Sequence, residues 1–365
     1  MRRRDARWSA ERSPPGPPSA SSSRAPRADS SRRSGASAYS CTPATQVTDV
    51  PDTLGHVKFG ATLWPQNTTW AAWRDAAKFV DEVGLETVWA WDHFYALAGK
   101  EEAQNFESTT LLAAIAPLTK RVKIGALVQG VTYRHPAVIA NMAATHDHVS
   151  EGRAICGIGA AWNQTEHKAY GIDLGTPGVR SRRFAEAAKV IRALLGGERV
   201  TYSGKYYQLK DAVLNTRPIQ KRLPIMIGGG GEQKTLRTVA RYADMWHAFG
   251  TPEVMKHKIE VLHQHCKDVG RDPNDIEVWG GQWIVVRDDA EDARQVLDEI
   301  RTHHPPMNPP NAIIGNADQV AARLKQFWDV GVRGFIPGFA YPYDTTTIER
   351  LAKEVRPRLQ KLIKT

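Results

Sequence analysis

Apolar and polar residues follow two different periods along most of the chain, and each period predicts one kind of element. Val57–Leu63 alternates apolar and polar positions, which is typical of a half-buried strand. Trp70–Val83 places its apolar residues at helical spacing, and Gly84 directly after it is a helix stop signal. The same order, strand and then helix, recurs from there to the end of the chain.

The repeated pattern predicts strands that alternate with helices over most of the sequence. The predicted strands are Val57–Leu63, Thr87–Trp91, Arg121–Val128, Arg153–Ile158, Ile225–Ile227, Ala243–Trp246, Ile276–Val286 and Gly334–Pro337. The predicted helices are Trp70–Val83, Ser108–Leu118, Pro136–Val149, Ser181–Leu195, a segment from Glu232, Pro252–Val269, Asp289–Thr302, Ala317–Val330 and Thr345–Leu362. This order predicts an α/β fold of the (β/α)₈ TIM-barrel type. A doubly wound open sheet is the alternative, but it usually has fewer strands and a nucleotide motif after the first one.

Four consecutive glycines lie between a predicted strand and a predicted helix: Gly228, Gly229, Gly230 and Gly231. Backbone N–H groups at a helix N-terminus, with no side chains in the way, suit a phosphate. A tight turn that needs positive φ angles is the alternative, although one or two glycines would serve it. The run is neither GxGxxG nor a P-loop, because no Lys-Ser/Thr pair follows it. The sequence therefore predicts a phosphorylated cofactor held in another kind of fold.

Composition separates the N-terminal segment from the rest of the 365 residues. The formal net charge is +10, but the first 40 residues alone hold nine Arg and three acidic residues. The remainder has 40 basic and 36 acidic residues, whereas a nucleic-acid-binding protein would more often carry its basic excess on a folded surface. Residues 1–52, rich in Arg, Ser and Pro, are predicted to form a disordered tail, and residues 53–365 one barrel domain. A targeting segment or a start codon placed too far upstream are the alternatives for the tail.

The sequence gives no sign of a membrane span or a metal site. No apolar run approaches the roughly 18 residues that a membrane span needs. Cys41, Cys156 and Cys266 are few, odd in number and widely spaced, which predicts neither a disulfide framework nor a zinc site. They fit a reducing compartment, and the expected location is cytoplasmic. His146 and His148 would lie on different faces of a helix, so no metal is expected there.

The chemistry of such a barrel lies at the carboxyl ends of its strands, so the residues just after each strand are the candidates. They are rich in aromatic and amide side chains, which suits a flat ring with hydrogen-bonding edges. His93 follows strand two and is the best acid–base candidate, with Asp92 placed to orient it or to bind a cofactor. Glu107 and Glu166 are weaker candidates, since acids are also common at helix N-termini. Further candidate cofactor contacts are Trp64, Gln129, Tyr133 and, as a phosphate contact, Arg134.

Three long motifs follow one another along the chain: Trp91-Asp92-His93-Phe94, the segment Gly130–Ile172 and the segment Ile227–Trp246. Together they resemble the bacterial luciferase-like monooxygenase superfamily, and most closely its deazaflavin (coenzyme F420)-dependent oxidoreductases. The resemblance runs from about Val57 to Leu362. It implies a (β/α)₈ barrel with an insertion before strand five, which would contain the β-hairpin predicted for Val200–Lys210 around Ser203-Gly204.

The resemblance also implies that a flavin-type ring lies across the barrel mouth, with its phosphate arm on the glycine run. A non-proline cis peptide near Ala126-Leu127 would support the ring. The Asp92–His93 pair would lie at the reactive face of a deazaflavin. The cofactor contacts that follow from the resemblance are Ala126, Leu127, Gly159, Ala160, Trp162, Gly228, Gly229, Gly230, Gly231 and Glu232.

The first hypothesis for function is an oxidoreductase that moves a hydride between coenzyme F420 and a small organic substrate. The alternative enzyme is a reduced-FMN monooxygenase. A non-catalytic cofactor-binding barrel is a third hypothesis, although the polar residues at the strand ends favour an enzyme. No set of Lys and Arg matches the sugar-phosphate pocket of the family's sugar-phosphate dehydrogenases, so that substrate is not expected. A homodimer is expected by analogy with family members.

Overall fold

The computed structural model describes residues 56–100, 102–305 and 312–364, so the predicted tail, residues 1–52, lies outside the described residues. Parallel strands form a closed barrel: β1 (Lys58–Leu63), β2 (Thr87–Ala90), β3 (Lys123–Ala126), β4 (Ala154–Gly159), β5 (Ile225–Gly228), β6 (Met245–Phe249), β7 (Glu277–Gln282) and β8 (Gly334–Phe339). Each strand pairs with the next, and β8 closes the ring on β1 with Gly334 opposite Lys58. The predicted (β/α)₈ barrel is confirmed.

Helices alternate with the barrel strands. They are α1 (Trp70–Val83), α2 (Ser108–Ile115), α3 (Pro136–Val149), α4 (Gln164–Ala169), α5 (Pro177–Leu195), α6 (Thr235–Tyr242), α7 (Pro252–Val269), α8 (Ala290–His303), α9 (Ala317–Asp329), α10 (Thr345–Arg350) and α11 (Arg356–Leu362). Local signals set the ends of α1: the Thr69 side chain caps its first turn, and Gly84 ends it with φ at 85°. No helix within the described ranges is long and apolar enough to cross a membrane.

Several segments depart from the predicted boundaries. The hairpin strands are Val200–Ser203 and Gln208–Ala212, so the turn covers residues 204–207: it begins at Gly204, as expected, and extends further than Ser203-Gly204. The hairpin lies before β5, as expected. The predicted seventh strand divides at its end, because Ile284–Val286 leaves the barrel and pairs with Ile313–Gly315.

The barrel interior is filled by large side chains from alternating strand positions. The inward-facing cluster is Trp89, Ile155, Met226, Met245, Trp279 and Ile336. A Cβ atom on Gly125 would lie 2.6 Å from the Trp89 ring, and one on Gly334 would lie 2.4 Å from the Trp279 ring. Each indole therefore fits only because the neighbouring strand carries a glycine beside it. This packing fills the barrel below its carboxyl-terminal rim, which is where the site lies.

Candidate active site

A cavity of about 640 Å³ lies at the carboxyl ends of the barrel strands. The predicted site residues that line it are Trp64, Asp92, His93, Leu127, Tyr133, Gly159, Ala160, Trp162, Gly228, Gly229 and Gly230. Lining residues outside those predictions include Thr235, His247, Phe249, Lys258, Gln282 and Trp283. Five predicted contacts are not among the lining residues: Ala126, Gln129, Arg134, Gly231 and Glu232.

The glycine segment, Gly228–Gly231, carries the chain from β5 towards α6. Trp246 Nε1 donates to the Gly229 carbonyl at 2.9 Å, and Lys258 Nζ donates to the Gly230 carbonyl at 2.6 Å. The Gly229 amide donates to the His247 carbonyl at 3.1 Å. Hydrogen bonds among the described residues include none from the amides of Gly230 and Gly231. These two amides and the Lys258 ammonium give the segment the donors of an anion site.

Lys258 reaches the glycine segment from α7, and its side chain is mostly buried. Glu232, expected to contact a cofactor, lies 3.3 Å from His257 and 3.9 Å from Lys258 through its carboxylate. A carboxylate repels a phosphate, so Glu232 fits a role in placing the His257 and Lys258 side chains better than a direct contact.

The cis peptide expected near Ala126-Leu127 is found one bond later, between Leu127 and Val128. The Val128 side chain lies against two glycines of neighbouring strands. A Cβ atom added to Gly159 would lie 2.5 Å from the Val128 side chain, and one added to Gly228 would lie 2.9 Å from it. These two glycines therefore make room for a valine as well as for the cavity beside it.

His93 follows β2, and its partner is a carboxylate from another part of the chain. Nδ1 of His93 lies 2.7 Å from Oε1 of Glu166, in the first turn of α4. An ionised carboxylate only accepts hydrogen bonds, so Nδ1 is the donor. Nε2 is then the nitrogen that can exchange a proton.

The carboxylate of Glu166 is buried and held by several donors. Besides His93, the Tyr133 hydroxyl and the Phe94 amide, the latter at 2.8 Å, donate to it. Burial acts to raise the pKa of Glu166, but the hydrogen bonds from His93 and Tyr133 outweigh it, so the pKa lies below its ordinary value. Glu166 is therefore a fixed negative charge behind the histidine.

Asp92 pairs with an arginine. Its buried carboxylate accepts hydrogen bonds from Nη1 and Nη2 of Arg134, at 2.7 and 3.0 Å, and from the Ser108 hydroxyl, at 2.9 Å. The described hydrogen bonds include none between Asp92 and His93, so Asp92 does not orient His93 directly; the alternative role, a cofactor contact, stays a prediction. Asp92 pairs with Arg134, while His93 pairs with Glu166.

Arg134, expected to contact a phosphate, also donates to Glu107 at 2.7 Å. Burial acts to raise the pKa of Glu107, but hydrogen bonds from Thr109 and Thr110 outweigh it and lower the pKa to about 2. Arg134 thus lies between the carboxylates of Asp92 and Glu107, and holds the start of α2 to the segment after β2.

Four tryptophans line the cavity and form what we call the aromatic wall: Trp64, Trp91, Trp162 and Trp283. Ring centroids are 4.5 Å apart for Trp64 and Trp91, and 5.2 Å apart for Trp64 and Trp283. The His93 ring is 5.3 Å from Trp162 and 6.2 Å from Trp91. Trp162 is 61% exposed and lies at the outer edge.

His247 of β6 lines the cavity from a different strand and is almost fully buried. Its Nε2 atom has no hydrogen-bond partner among the described residues. Burial lowers the pKa of His247 to about 4, so the imidazole is neutral at pH 7. No group of three or more His, Cys, Asp or Glu residues that could hold a metal ion is found in the described ranges.

A family model for luciferase-like monooxygenases matches residues 54–325. The chain belongs to this family. The matched region of this luciferase-like barrel includes His93, Glu166, the glycine segment and Lys258, so all the site elements described above lie within it.

Individual luciferase-like relatives differ in what their names say they do. A phthiodiolone/phenolphthiodiolone dimycocerosates ketoreductase of Mycobacterium tuberculosis is 28% identical over 270 residues, which cover 68% of each chain. An F420-dependent glucose-6-phosphate dehydrogenase of Amycolatopsis mediterranei is 38% identical over 165 residues, 45% of this chain and 47% of that one. A solved F420-dependent secondary alcohol dehydrogenase, in complex with an F420–acetone adduct, shares the fold with a TM-score of 0.73 at 22% identity. That alignment covers 83% of this chain and 99% of the other.

Proposed function

We propose that this protein is an oxidoreductase that transfers a hydride between coenzyme F420 and a small organic substrate, with His93 moving the proton. The observation that carries the proposal is one cavity that joins an anion site at the glycine segment to a histidine held by a buried carboxylate. Two similar proteins are named as F420-dependent, and a third is named as a ketoreductase. These names support the same class of reaction here.

The residues present fit a flat cofactor that carries a phosphate. The amides of Gly230 and Gly231, which donate no hydrogen bond within the described part of the chain, and the charge of Lys258 would hold the phosphate. The apolar side chain of Val128, which lies against Gly159 and Gly228 in the cavity, offers a surface to a flat ring system. Bound F420 supplies the hydride chemistry, and the protein supplies position and proton transfer.

His93 is placed to move one proton at the substrate oxygen. When Nε2 takes up a proton, the imidazolium is stabilised by the Glu166 carboxylate 2.7 Å from Nδ1. In alcohol oxidation the substrate hydroxyl gives its proton to Nε2, and in carbonyl reduction Nε2 returns it. The buried network of Glu166 and Tyr133 holds the ring in the orientation that either direction needs.

A reduced-FMN monooxygenase is the second candidate, since the matching family is described by that activity. The glycine segment would serve the phosphate of either cofactor. A deazaflavin has carbon where flavin has N5, so it transfers hydride and activates oxygen poorly. Cofactor preference therefore separates the two candidates.

Titration of cofactor-free protein with F420 and with FMN, followed by absorption and fluorescence, tests the proposal. We expect F420 to bind at least tenfold more tightly than FMN, and bound F420 to be reduced in a single turnover without oxygen consumption. Tight binding of FMN alone, with oxygen consumption after reduction, would instead establish the monooxygenase. Binding without turnover of any alcohol or ketone tested would support the non-catalytic barrel.

A further inference from the structure

We infer that the substrate is a neutral, largely apolar molecule with a carbonyl or a secondary hydroxyl group, and that the aromatic wall binds it beside His93. The inference rests on the proposed function and narrows it. It separates this chain from a sugar-phosphate dehydrogenase, even though one such protein is 38% identical over part of its length.

Positive charge in the cavity is confined to the glycine segment, within the residues that the structure describes. Among the described lining residues, Lys258 is the one lysine or arginine, and it donates to the Gly230 carbonyl. A cofactor phosphate at the glycine segment would use this charge. Arg134 cannot serve in its place, because it is not among the lining residues and its guanidinium already pairs with Asp92 and Glu107. A second phosphate at the wall would lose its hydration without gaining a cation, which is strongly unfavourable.

Tryptophan rings form the surface next to His93. The His93 ring contacts both Trp91 and Trp162, and the wall continues from Trp91 through Trp64 to Trp283. Tryptophan rings bury apolar surface and accept ring-shaped or branched apolar groups. A substrate carbon held here is next to the only histidine of the cavity that has a carboxylate partner within the described residues.

The buried polar atoms of the cavity that have no partner within the described residues are neutral. Two cavity residues have a buried polar atom with no partner among the described residues: the hydroxyl of Thr62 and Nε2 of His247. Because burial lowers the pKa of His247, its imidazole carries no charge at pH 7. Such groups accept or donate single hydrogen bonds and do not bind anions strongly.

For this substrate class, the hydride and the proton that the substrate loses each have an acceptor. In the oxidative direction the alcohol carbon loses its hydrogen as a hydride to oxidised F420, and the hydroxyl proton passes to Nε2 of His93. A carbonyl double bond forms, and the imidazolium releases its proton to solvent. The reverse reaction consumes reduced F420 and one proton, and converts a ketone to a secondary alcohol.

The test compares 1-phenylethanol and acetophenone with glucose 6-phosphate in two measurements. In the first, cofactor-free protein is titrated and tryptophan fluorescence is recorded. We expect saturable quenching by acetophenone and no change with glucose 6-phosphate. In the second, the F420-loaded protein is assayed without oxygen, and we expect kcat/KM for 1-phenylethanol to exceed that for glucose 6-phosphate at least 100-fold. Glucose 6-phosphate used as well as 1-phenylethanol would overturn the inference.

Two variants of Trp283, a residue of the aromatic wall, test whether the substrate binds there. Trp283→Ala should raise KM for 1-phenylethanol about tenfold with less change in kcat, and Trp283→Phe should restore most of it. Trp70→Ala on α1, outside the cavity, is the matched control and should leave KM unchanged. If F420 fails to bind, the proposed function fails, but acetophenone quenching in the wild type and its loss in Trp283→Ala still decide the inference. Unchanged quenching in Trp283→Ala would place the ligand elsewhere.

Discussion

At the scale of single residues, the imidazole of His93 depends on a carboxylate that lies 73 positions further along the chain. The position of His93 after strand two can be predicted from the sequence, because barrel chemistry lies at strand ends. Its partner cannot be predicted so directly. Glu166 in the first turn of α4 has the appearance of any acid that favours a helix N-terminus, and only the fold brings it to His93.

Removal of the imidazole tests the assigned role. In His93→Ala the single-turnover rate at saturating cofactor should fall by ~10²-fold or more, the usual scale for loss of a general acid or base. Cofactor affinity should change far less. A rate close to that of the wild type would leave His93 as a packing residue and assign the proton to a water molecule.

Removal of the charge behind the imidazole is a separate prediction. Glu166→Gln keeps the size of the side chain but no longer stabilises an imidazolium, so kcat should fall roughly tenfold with little change in KM. Glu291→Gln alters another acid in a first helical turn, that of α8, and serves as the control. Equal effects in the two variants would show that Glu166 acts only at the helix N-terminus.

His247 makes stability depend on pH. Its folded-state pKa of about 4 is below the ordinary value, so the unfolded chain binds more protons between about pH 6.5 and pH 4. Stability is therefore complete above pH 6.5 and falls as the pH drops through this window. Between pH 7 and pH 5, urea unfolding should show a loss about 2 kcal/mol larger for the wild type than for His247→Leu. Parallel pH profiles for the two proteins would contradict the assignment.

At the scale of elements, α7 supports the glycine segment, and a signal for this is present in the sequence. Lys258 is three residues after Met255 and four before Leu262, two buried positions of α7. A lysine within an apolar stripe needs an anion or a carbonyl partner. The sequence pattern identifies the helix, but it does not show that the stripe faces the glycines.

Loss of this lysine should weaken cofactor binding. Lys258→Met removes a charged donor, which contributes about 1.5–3 kcal/mol, so Kd for F420 should rise roughly 10- to 100-fold. Lys256→Met, on the same helix but exposed, should leave Kd unchanged. An unchanged Kd in Lys258→Met would move the phosphate away from the glycine segment.

Element boundaries were less predictable than element order. Ile276–Val286 has the pattern of one strand, yet the chain leaves the barrel at Trp283. The predicted helix Thr345–Leu362 is interrupted by a π-helical turn at Leu351–Val355. In both cases the apolar pattern continues unbroken, because it records burial and not which partner each residue faces.

At the scale of the whole molecule, the number of strands predicts a barrel, whereas closure depends on contacts between the two ends of the domain. The family match begins at residue 54, close to the predicted domain start at residue 53. The tail, residues 1–52, stays a prediction.

A chain that begins at Thr53 should keep the melting temperature and activity of the full protein, since the removed residues lack core-forming side chains. Thermal unfolding and steady-state kinetics of the two chains compare them directly. A large fall in melting temperature would mean that the tail stabilises the barrel.

The pairing of β1 with β8 also determines how long β1 remains without one of its partners during synthesis. Lys58 and Gly334 are partners across about 280 residues, and at ~5–20 residues per second the ribosome needs roughly 15–55 s to make the chain between them. During that interval β1 is outside the ribosome, and one of its edges has no partner. An open edge pairs readily with other chains. We therefore expect incomplete chains to begin to aggregate during synthesis through the open edge of β1, long before β8 has been made.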